Sequence, residues 1–501
     1  MRKALALLAA GTLVLACAHR VERKISDTPA TLDHESPILK IHMKNGDVYV
    51  LHAWKIDDAA RRVSGRGDHL GADRATVASG DWSVRFDDVA LYETNTIITS
   101  PTVAAIAIMS VVTIAIGAAC IANPKACFGS CPTFYAPGDG GRSTLQAEGF
   151  SDAISPALES HDIDALWRTH ATGGPLTLTM TNEAYETHVV KQADLLVAPR
   201  PPGGRVLSDG EQLWAATAIV APVRCAAPEG DCLRAVAAVD GAERTSLTDE
   251  HDLATRETIE LDFPAVPGRA GLVVGARQSL VTTFLLYQGL AYLGTKAGDW
   301  LAALERGDLV ARAGGRTLQR LVGGIEVQVM RDGDWQTVGE AYETGPLATD
   351  VHLLVLPAGV AGERLRLRLP MGGWRIDYLG LAQLAGTVVP ERIHPRTVHG
   401  TLGAEFAGGR TAATGFPIVT LPGDAYELAY DVPAGDRELF LDSRGYYLEW
   451  MRQEWLHETA PLSALKMLVM PGQALRDLAP AFKRTEAHAE ELFWRSRYAH
   501  P

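Results

Sequence analysis

The sequence lacks the short motifs by which many enzymes are recognised. Its 501 residues contain no G-x-S-x-G nucleophile elbow, no H-E-x-x-H zinc helix, no phosphate-binding P-loop and no glycine-rich dinucleotide fingerprint. These motifs position nucleophiles, metal ligands and phosphates, so their absence argues against the enzyme classes built on them. A pair of carboxylates that hydrolyses glycans needs no linear motif, and that activity stays open. The sequence thus favours a binding or structural protein over an enzyme, and it predicts no cofactor.

Basic residues are outnumbered by acidic ones. The chain carries 47 Lys and Arg against 60 Asp and Glu, which gives a formal net charge of −13 at pH 7. This excess of negative charge would repel the phosphates of a nucleic acid. We therefore expect no nucleic-acid partner.

Cysteines are few, and they lack the spacing of a metal or redox site. Three of the six, Cys120, Cys127 and Cys131, form a C-x6-C-x3-C run. A zinc site needs four nitrogen or sulfur ligands, and this run has no C-x2-C unit and no histidine nearby. It also lacks the C-x-x-C pair of thiol oxidoreductases. The sequence predicts no metal site.

The N-terminus has the features of an exported bacterial lipoprotein. Arg2 and Lys3 precede a short apolar stretch, and Cys17 follows it directly. This order is typical of a secretory signal peptide, here residues 1–16, which is too short for a membrane-spanning helix. The V-L-A-C junction resembles the lipobox, at which the cysteine becomes the lipidated N-terminus. We predict lipidation at Cys17 and a place in the cell envelope. Ala18, where many inner-membrane lipoproteins have aspartate, favours the outer membrane, facing the periplasm.

A small β unit follows a predicted tether at 17–37. The segment ILKIHMKNGDVYVLHAWKID alternates apolar and polar residues on both sides of Asn45-Gly46, which is the strongest short hairpin signal. A further strand is predicted in WSVRFDDVALYET. We expect a small β meander or barrel over residues 38–95.

A long uncharged run comes next, between Glu93 and Lys125. Its apolar core at 101–122 has about the length of a helix that crosses a bilayer, roughly 20 residues. One interpretation is a membrane-spanning helix. The other is a hydrophobic helix or hairpin that is buried in the protein or lies against the membrane. The sequence leaves both open.

The rest of the chain is rich in strand patterns. Short alternating segments recur about every eight to twelve residues, which is typical of a β-sandwich. Residues 278–306 instead show helical periodicity interrupted by glycines, and predict an inserted pair of helices. The predicted order is a β-rich domain at 127–277, the helical insertion at 278–306, a β-sandwich-like segment at 307–385 and a C-terminal β/α segment at 386–501. The predicted fold class is mainly β.

Disulfides are expected if the chain is exported, because the periplasm is oxidising. Cys225 and Cys232 bracket the turn AAPEGD, which can bring their Cα atoms within bonding range. Among the other three cysteines, the two candidate pairs are Cys127 with Cys131 and Cys120 with Cys127.

A group of aromatic and basic residues near the C-terminus is a candidate binding surface. It consists of Arg444, Tyr446, Tyr447, Trp450 and Trp455. Such side chains can stack on sugar rings or contact a protein partner. At this spacing they can equally form part of the core with an exposed rim.

Several segments of the chain resemble corresponding segments in a family of uncharacterised bacterial lipoproteins. The first are CPTFYAPGDG, a Cys-Pro-aromatic strand that opens a β domain, and LTMTNEAYETHVVKQADLLVAPRP. The pattern W-x-x-VGE-x-x-ETGPL and the segments WRIDYLGL, LPGDAYEL and SRGYYLEWM are similar to the same family. The resemblance covers most of residues 125–501 and implies a β-rich fold, but no activity and no site residues.

These features together predict a lipid-anchored envelope protein with a binding or structural role. The alternatives are a hydrolase that acts on envelope glycans and an assembly factor of a membrane complex. The expected partners are the membrane, through the lipid anchor and through the apolar helix if it inserts, and an envelope protein or glycan.

Overall fold

The computed structural model describes residues 20–98, 131–151, 153–298, 301, 323–331, 333–341, 345–360, 363–456 and 460–498. These residues fall into two compact units. The smaller unit draws on Met1–Ile116, Gly289–Ala302 and Met451–Ala464, and the larger unit draws on Gly117–Gln288, Ala303–Trp450 and Leu465–Pro501. Both units are built mainly of β-strands, as the sequence predicts.

The smaller unit contains a six-stranded antiparallel sheet. Its strands are β1 (Arg20–Ser26), β2 (Ile38–Met43), β3 (Val48–Asp57), β4 (Arg62–Leu70), β5 (Thr76–Arg85) and β6 (Val89–Ile98). They lie in the order β1-β6-β2-β3-β4-β5, and Leu39, Ile41 and Leu51 are fully buried in their core. The predicted hairpin joins β2 to β3 through Asn45-Gly46, where Gly46 has a φ of 86°, a value that favours glycine. The predicted meander is confirmed.

Strand β1 lies in the stretch predicted as a tether. Its sequence RVERKIS pairs with β6 along its whole length, at the edge of the sheet. The many charged residues conceal the strand from pattern analysis. Charged side chains are nevertheless common on edge strands, where they discourage pairing with another chain. Part of the segment 17–37 is thus a sheet strand.

The larger unit contains the remaining described strands. In chain order they are β7 (Thr133–Pro137), β8 (Ser143–Glu148), β9 (Ser160–Ala165), β10 (Gly174–Thr181), β11 (Glu186–Pro199), β12 (Arg205–Ser208), β13 (Leu213–Val220), β14 (Arg224–Ala227), β15 (Gly230–Asp231), β16 (Arg244–Thr245), β17 (Arg256–Asp262), β18 (Arg269–Gln278), β19 (Ile325–Arg331), β20 (Asp334–Ala341), β21 (Asp350–Val355), β22 (Arg364–Pro370), β23 (Trp374–Val388), β24 (Glu391–Ile393), β25 (Thr397–Thr401), β26 (Ile418–Thr420), β27 (Ala425–Val432) and β28 (Arg437–Glu449).

These strands form four sheets. Sheet I has the order β25-β27-β10-β7-β8, and sheet II has the order β24-β11-β28-β9, with β26 also paired to β11. Sheet III has the order β13-β12-β21-β18-β23-β16, and sheet IV has the order β15-β14-β17-β22-β19-β20. Strands β12 and β21 pair in parallel, whereas the long central pairs of each sheet are antiparallel.

The four sheets stack face to face through three hydrophobic cores. Leu195 of sheet II packs against sheet I, and its neighbour Leu196 packs against sheet III, as the alternation of a strand requires. Leu272 of sheet III shares the third core with Leu367 of sheet IV. Sheets II and III are therefore covered on both faces, which explains the nearly continuous apolar run of β18. The predicted sandwich architecture is confirmed, and it extends to four layers.

The sheets interleave segments that are distant in the chain. Sheet I combines β7, β8 and β10, from the predicted domain at 127–277, with β25 and β27, from the segment at 386–501. Sheet III joins strands from 127–277 to β21 and β23. The segments predicted at 127–277, 307–385 and 386–501 are thus parts of one stack. Pairing between distant antiparallel strands leaves no local sequence signal, so this arrangement was not predictable from patterns.

The described α-helices are α1 (Val281–Leu293), α2 (Pro461–Val469) and α3 (Pro471–Ser496). Helix α1 and the 3-10 turn Gly294–Lys296 occupy part of the helical pair predicted at 278–306. In the larger unit, the Phe482 ring of α3 lies 5.1 Å from the Phe284 ring, centroid to centroid. No helix in the described part of the chain has the length and apolar character to cross a membrane. The apolar segment 101–122 lies outside the described residues.

Candidate functional site

The larger unit contains a cleft of about 240 Å³. Its wall combines β8, the segment after β9, the turn before β16, the end of β18, the segment before β21, the start of β23 and the last turns of α3. The lining residues are Leu145, Gln146, Ala165, Trp167, Arg168, Val239, Gly241, Glu243, Arg277, Leu347, Thr349, Asp377 and Trp494. Apolar and aromatic walls with a few convergent polar groups are typical of small-molecule sites.

Asp377 reaches the cleft from a β-bulge. Strands β18 and β23 pair Gly275 with Tyr378 and Ala276 with Ile376, so Asp377 is an extra residue between them. A bulge interrupts the alternation of a strand and redirects a side chain, and bulges are frequent next to functional sites. The bulge explains why an acidic residue of a strand in sheet III lines a cleft.

The Asp377 carboxylate is buried, with 1% exposure. Its two oxygens accept hydrogen bonds from the Gly241 N–H at 3.0 and 3.2 Å. Gly241 has a φ of 85°, which favours glycine at this turn. Burial raises the pKa of the Asp377 carboxyl above its usual value, the backbone N–H groups of Gly241 and Asp240 oppose this effect, and the charge of Glu243 adds to it. No lysine or arginine among the described residues forms an ion pair with this carboxylate.

Glu243, the other acid of the cleft, is fully engaged by Arg277. The Arg277 guanidinium donates to both Glu243 oxygens, at 2.5 and 2.7 Å, and to Glu490 of α3 at 3.1 Å. Burial alone would lower the pKa of Arg277, but hydrogen bonds to Glu243 and the charges of Glu243 and Glu490 raise it. A bidentate pair of this kind is strong and geometrically fixed. Both oxygens of Glu243 are therefore occupied by Arg277.

Two tryptophans form aromatic walls of the cleft, and each has an arginine near its ring. The Arg205 guanidinium lies 3.6 Å from the Trp167 ring centroid and is held by ion pairing with Glu438. The Arg497 guanidinium lies 4.6 Å from the Trp494 ring centroid. Contacts between a guanidinium and an aromatic face are attractive, and they hold the rings in place.

The charges of the lining residues balance. Glu243 and Asp377 are acidic, and Arg168 and Arg277 are basic. After Glu243 and Arg277 are paired with each other, Asp377 and Arg168 are the remaining charged residues of the lining. Hydrogen-bonding groups and the two tryptophan rings thus lie in the same wall.

The aromatic and basic residues predicted as a binding surface are mostly part of the core. Tyr447 and Trp450 are buried, and the Trp450 Nε1 donates to Thr187 Oγ1 at 2.8 Å. Tyr446 lies on the opposite face of β28 from Tyr447, half-buried, with Lys191 Nζ 5.4 Å from its ring centroid.

The other two members of this group occupy different surroundings. Arg444 is exposed and donates to Glu159 at 2.6 Å. Trp455 is buried in the smaller unit, whereas the other four belong to the larger unit. Three of the five side chains are thus buried, Tyr446 is half-buried and Arg444 is exposed, and a binding role of this group remains a prediction.

The predicted disulfide between Cys225 and Cys232 is present. Their Cα atoms lie 5.1 Å apart, and both side chains are buried in the core between sheets III and IV. Cys131 is buried as well. Cys17, Cys120 and Cys127 lie outside the described residues, so lipidation at Cys17 and both candidate pairs, Cys127 with Cys131 and Cys120 with Cys127, remain predictions.

A pair of facing carboxylates occurs in sheet II. Asp194 of β11 lies directly opposite Asp442 of β28. Arg392 bridges them: it donates to Asp194 Oδ2 at 3.0 Å and forms an ion pair with Asp442. His394 and His161 contact Asp194 and Asp442, respectively. Both acids are therefore neutralised within the protein. In the described part of the chain, no group of three His, Cys, Asp or Glu side chains could hold a metal ion.

Pattern analysis missed the residues of the cleft. The available signal was a charged residue inside an apolar strand segment, as in WRIDYLGL for Asp377 and GLVVGARQ for Arg277. Charges in such positions are rarely buried without a purpose, since burial of an unpaired charge is costly. Comparisons of the chain with protein-family models, curated proteins and solved structures find no match.

Proposed function

We propose that this chain is a lipid-anchored protein of the bacterial cell envelope, on the outer membrane facing the periplasm, that binds a small polar ligand in its cleft. The proposed location rests on the signal peptide at 1–16 and the V-L-A-C junction that ends at Cys17. The disulfide between Cys225 and Cys232 supports it, because disulfides persist in oxidising compartments and are rare in the cytosol.

The main support for the binding role is that the two acids of the cleft have different partners. Glu243 is neutralised by Arg277, whereas the buried Asp377 has only backbone N–H partners among the described residues. A buried carboxylate that lines an open cleft is stabilised when a ligand supplies hydrogen-bond donors. Trp167 and Trp494 add the apolar contact surface that such sites use.

A glycan hydrolase remains the second candidate, because Asp194 and Asp442 face each other across two strands. Glycosidases use such carboxylate pairs, one of which must donate a proton. Here Arg392 contacts both acids, so neither carboxylate is free to act on a substrate. The geometry therefore favours binding over hydrolysis.

The proposed location is tested by cell fractionation of two variants. We expect Cys17→Ser to leave the membrane fraction, because it cannot be lipidated, and Ala18→Asp to stay membrane-bound but move to the inner membrane. Labelling of Cys225 and Cys232 in spheroplasts should require prior reduction. If both cysteines are labelled only after lysis and without reductant, the periplasmic location is wrong.

The binding role is tested on the detergent-solubilised mature protein with a mixed panel of sugars, amines, carboxylates and nucleosides. We expect at least one compound to perturb the NMR or fluorescence signals of Trp167 or Trp494, and Asp377→Asn to abolish that response. Asp334→Asn is the matched control, since Asp334 is an exposed residue on β20 of sheet IV. A panel without any such response would refute the proposed function.

A further inference from the structure

We infer that the ligand of the cleft is an uncharged sugar, bound as a single pyranose ring. This inference rests on the proposed binding role of the cleft and narrows it to one chemical class. It follows from excluding charged and purely apolar ligands on the basis of the lining residues.

A cationic ligand is disfavoured by the tryptophans. Aromatic walls beside a carboxylate often hold an ammonium group. Here Trp167 and Trp494 already carry guanidinium groups, with Arg205 and Arg497 at 3.6 and 4.6 Å from their ring centroids. A ligand cation would share the same rings with these arginines and would be repelled by them.

An anionic ligand is disfavoured by the acids. Asp377 and Glu243 both line the cleft, and the guanidinium of Arg277 is committed to Glu243 and Glu490. The other basic lining residue, Arg168, only balances the remaining acid, so a ligand carboxylate or phosphate would meet Asp377 in a lining without net positive charge. Like charges at contact distance cost free energy even at an effective dielectric constant of about 20.

A purely apolar ligand is disfavoured by Asp377 alone. Such a ligand would cover a buried carboxylate whose partners are the backbone N–H groups of Gly241 and Asp240, and it would offer no further donor. A buried carboxylate with few hydrogen-bond donors is unfavourable, and an apolar ligand cannot improve it. The ligand must therefore carry N–H or O–H donors.

A pyranose meets all of these requirements. Its hydroxyl groups donate to Asp377, its C–H face packs against a tryptophan, and it has no charge. The size agrees, because about 240 Å³ is smaller than the clefts of drug-sized ligands, which begin at about 300 Å³. The cleft therefore suits one ring and not an extended oligosaccharide. Thr349, half-buried in the lining, offers a second hydroxyl partner.

The test compares neutral, cationic and anionic probes on the detergent-solubilised mature protein. Glucose, galactose and N-acetylglucosamine are the neutral probes, choline is the cationic probe, and glucuronate is the anionic probe. Saturation-transfer NMR and calorimetric titration give the contact and the affinity. We expect binding of at least one neutral sugar, with affinity at least about tenfold above choline and glucuronate.

Substitutions in the cleft test whether the sugar binds there. We expect Asp377→Asn to weaken sugar binding about tenfold or more, since hydrogen bonds to a charged acceptor are lost. Trp494→Leu and Thr349→Val provide independent changes if Asp377→Asn folds poorly. Trp335→Leu is the matched control, because Trp335 lies on β20 and also has an arginine guanidinium near its ring, Arg366 at 4.6 Å. It should leave the affinity unchanged.

The outcomes separate this inference from the proposed function. Preferred binding of choline or glucuronate, sensitive to Asp377→Asn, would overturn the inference of a sugar and keep a binding cleft. Sugar binding that survives both Asp377→Asn and Trp494→Leu would place the sugar elsewhere and also overturn the inference. A complete lack of response to every compound class would refute the proposed binding role itself.

Discussion

Glu148 should make the larger unit less stable at alkaline than at acidic pH. It ends strand β8, is 3% exposed, and its Oε2 accepts hydrogen bonds from the N–H groups of Leu347 and Ala348 at 2.8 and 3.3 Å. Burial raises the pKa of Glu148 from 4.5 to about 7, although these two backbone bonds act in the opposite direction. Leu347 lines the cleft, so Glu148 also supports one of its walls.

The sign follows from the two pKa values. The unfolded chain releases the Glu148 proton near pH 4.5, whereas the folded protein keeps it until about pH 7. Between these two pH values, ionisation of Glu148 in the unfolded chain favours unfolding. The free energy of unfolding therefore falls as the pH rises through this window and then levels off. Each pKa unit corresponds to about 1.36 kcal/mol, so the full effect of Glu148 is about 3 kcal/mol.

Glu148→Gln should remove this effect, because an amide of the same shape cannot ionise. We expect the variant to be more stable than the parent protein by about 3 kcal/mol at pH 8 and by less than about 1 kcal/mol at pH 5. Urea denaturation of both proteins at the two pH values measures the difference, and unchanged m values show that the same transition is compared.

Glu427→Gln is the control for this experiment. Glu427 is exposed on β27 of the same sheet, so its substitution should change stability little at either pH. If Glu148→Gln shifted stability equally at pH 5 and pH 8, the protein would not hold Glu148 in its protonated form, and the reasoning would be wrong.

Three further predictions concern other buried groups. Arg244→Met should destabilise the larger unit by about 3–5 kcal/mol in urea denaturation, because Glu257, itself 5% exposed, loses its charged partner; adding Glu257→Gln should restore part of the loss. Replacing both Cys225 and Cys232 by serine opens a loop of sequence separation 7, which should cost about 2.5 kcal/mol and make the urea midpoint insensitive to reductant. Burial lowers the pKa of His42 from 6.5 to about 4, so the smaller unit should keep its stability above pH 6.5 and lose it as the pH falls towards 4, a slope that His42→Gln should flatten in thermal unfolding.

Features that depend on neighbouring residues were predictable from the sequence. The Asn45-Gly46 hairpin forms because the turn geometry is encoded within a few residues. The bond between Cys225 and Cys232 spans a short turn. Strand β22, with the sequence RLRLRLP, alternates with the two-residue period of a strand, so Leu365 is fully buried and its arginine neighbours are more exposed.

The cleft was not predictable, for two physical reasons. Its residues lie between Leu145 and Trp494 in the chain, and only the pairing of distant strands brings them together. In addition, Asp377 points into the cleft because of a bulge opposite Gly275 and Ala276. A one-residue bulge shifts the alternation without any composition signal, so periodicity assigns such a side chain to the wrong face.

The buried acid of the cleft differs from other buried acids of the stacked sheets in the partners that contact it. Sheets II and III are covered on both faces, so a carboxylate on their strands loses most of its hydration. Asp194 and Asp442 lie directly opposite each other, an arrangement that is unfavourable for like charges, and Arg392 offsets it by contacting both. Asp377 instead has Gly241 N–H as its donor. On the proposed binding role, the acid that lines the cleft without an arginine partner is the one that a ligand with donor groups would stabilise. This difference makes Asp377 the residue whose substitution should separate binding from folding.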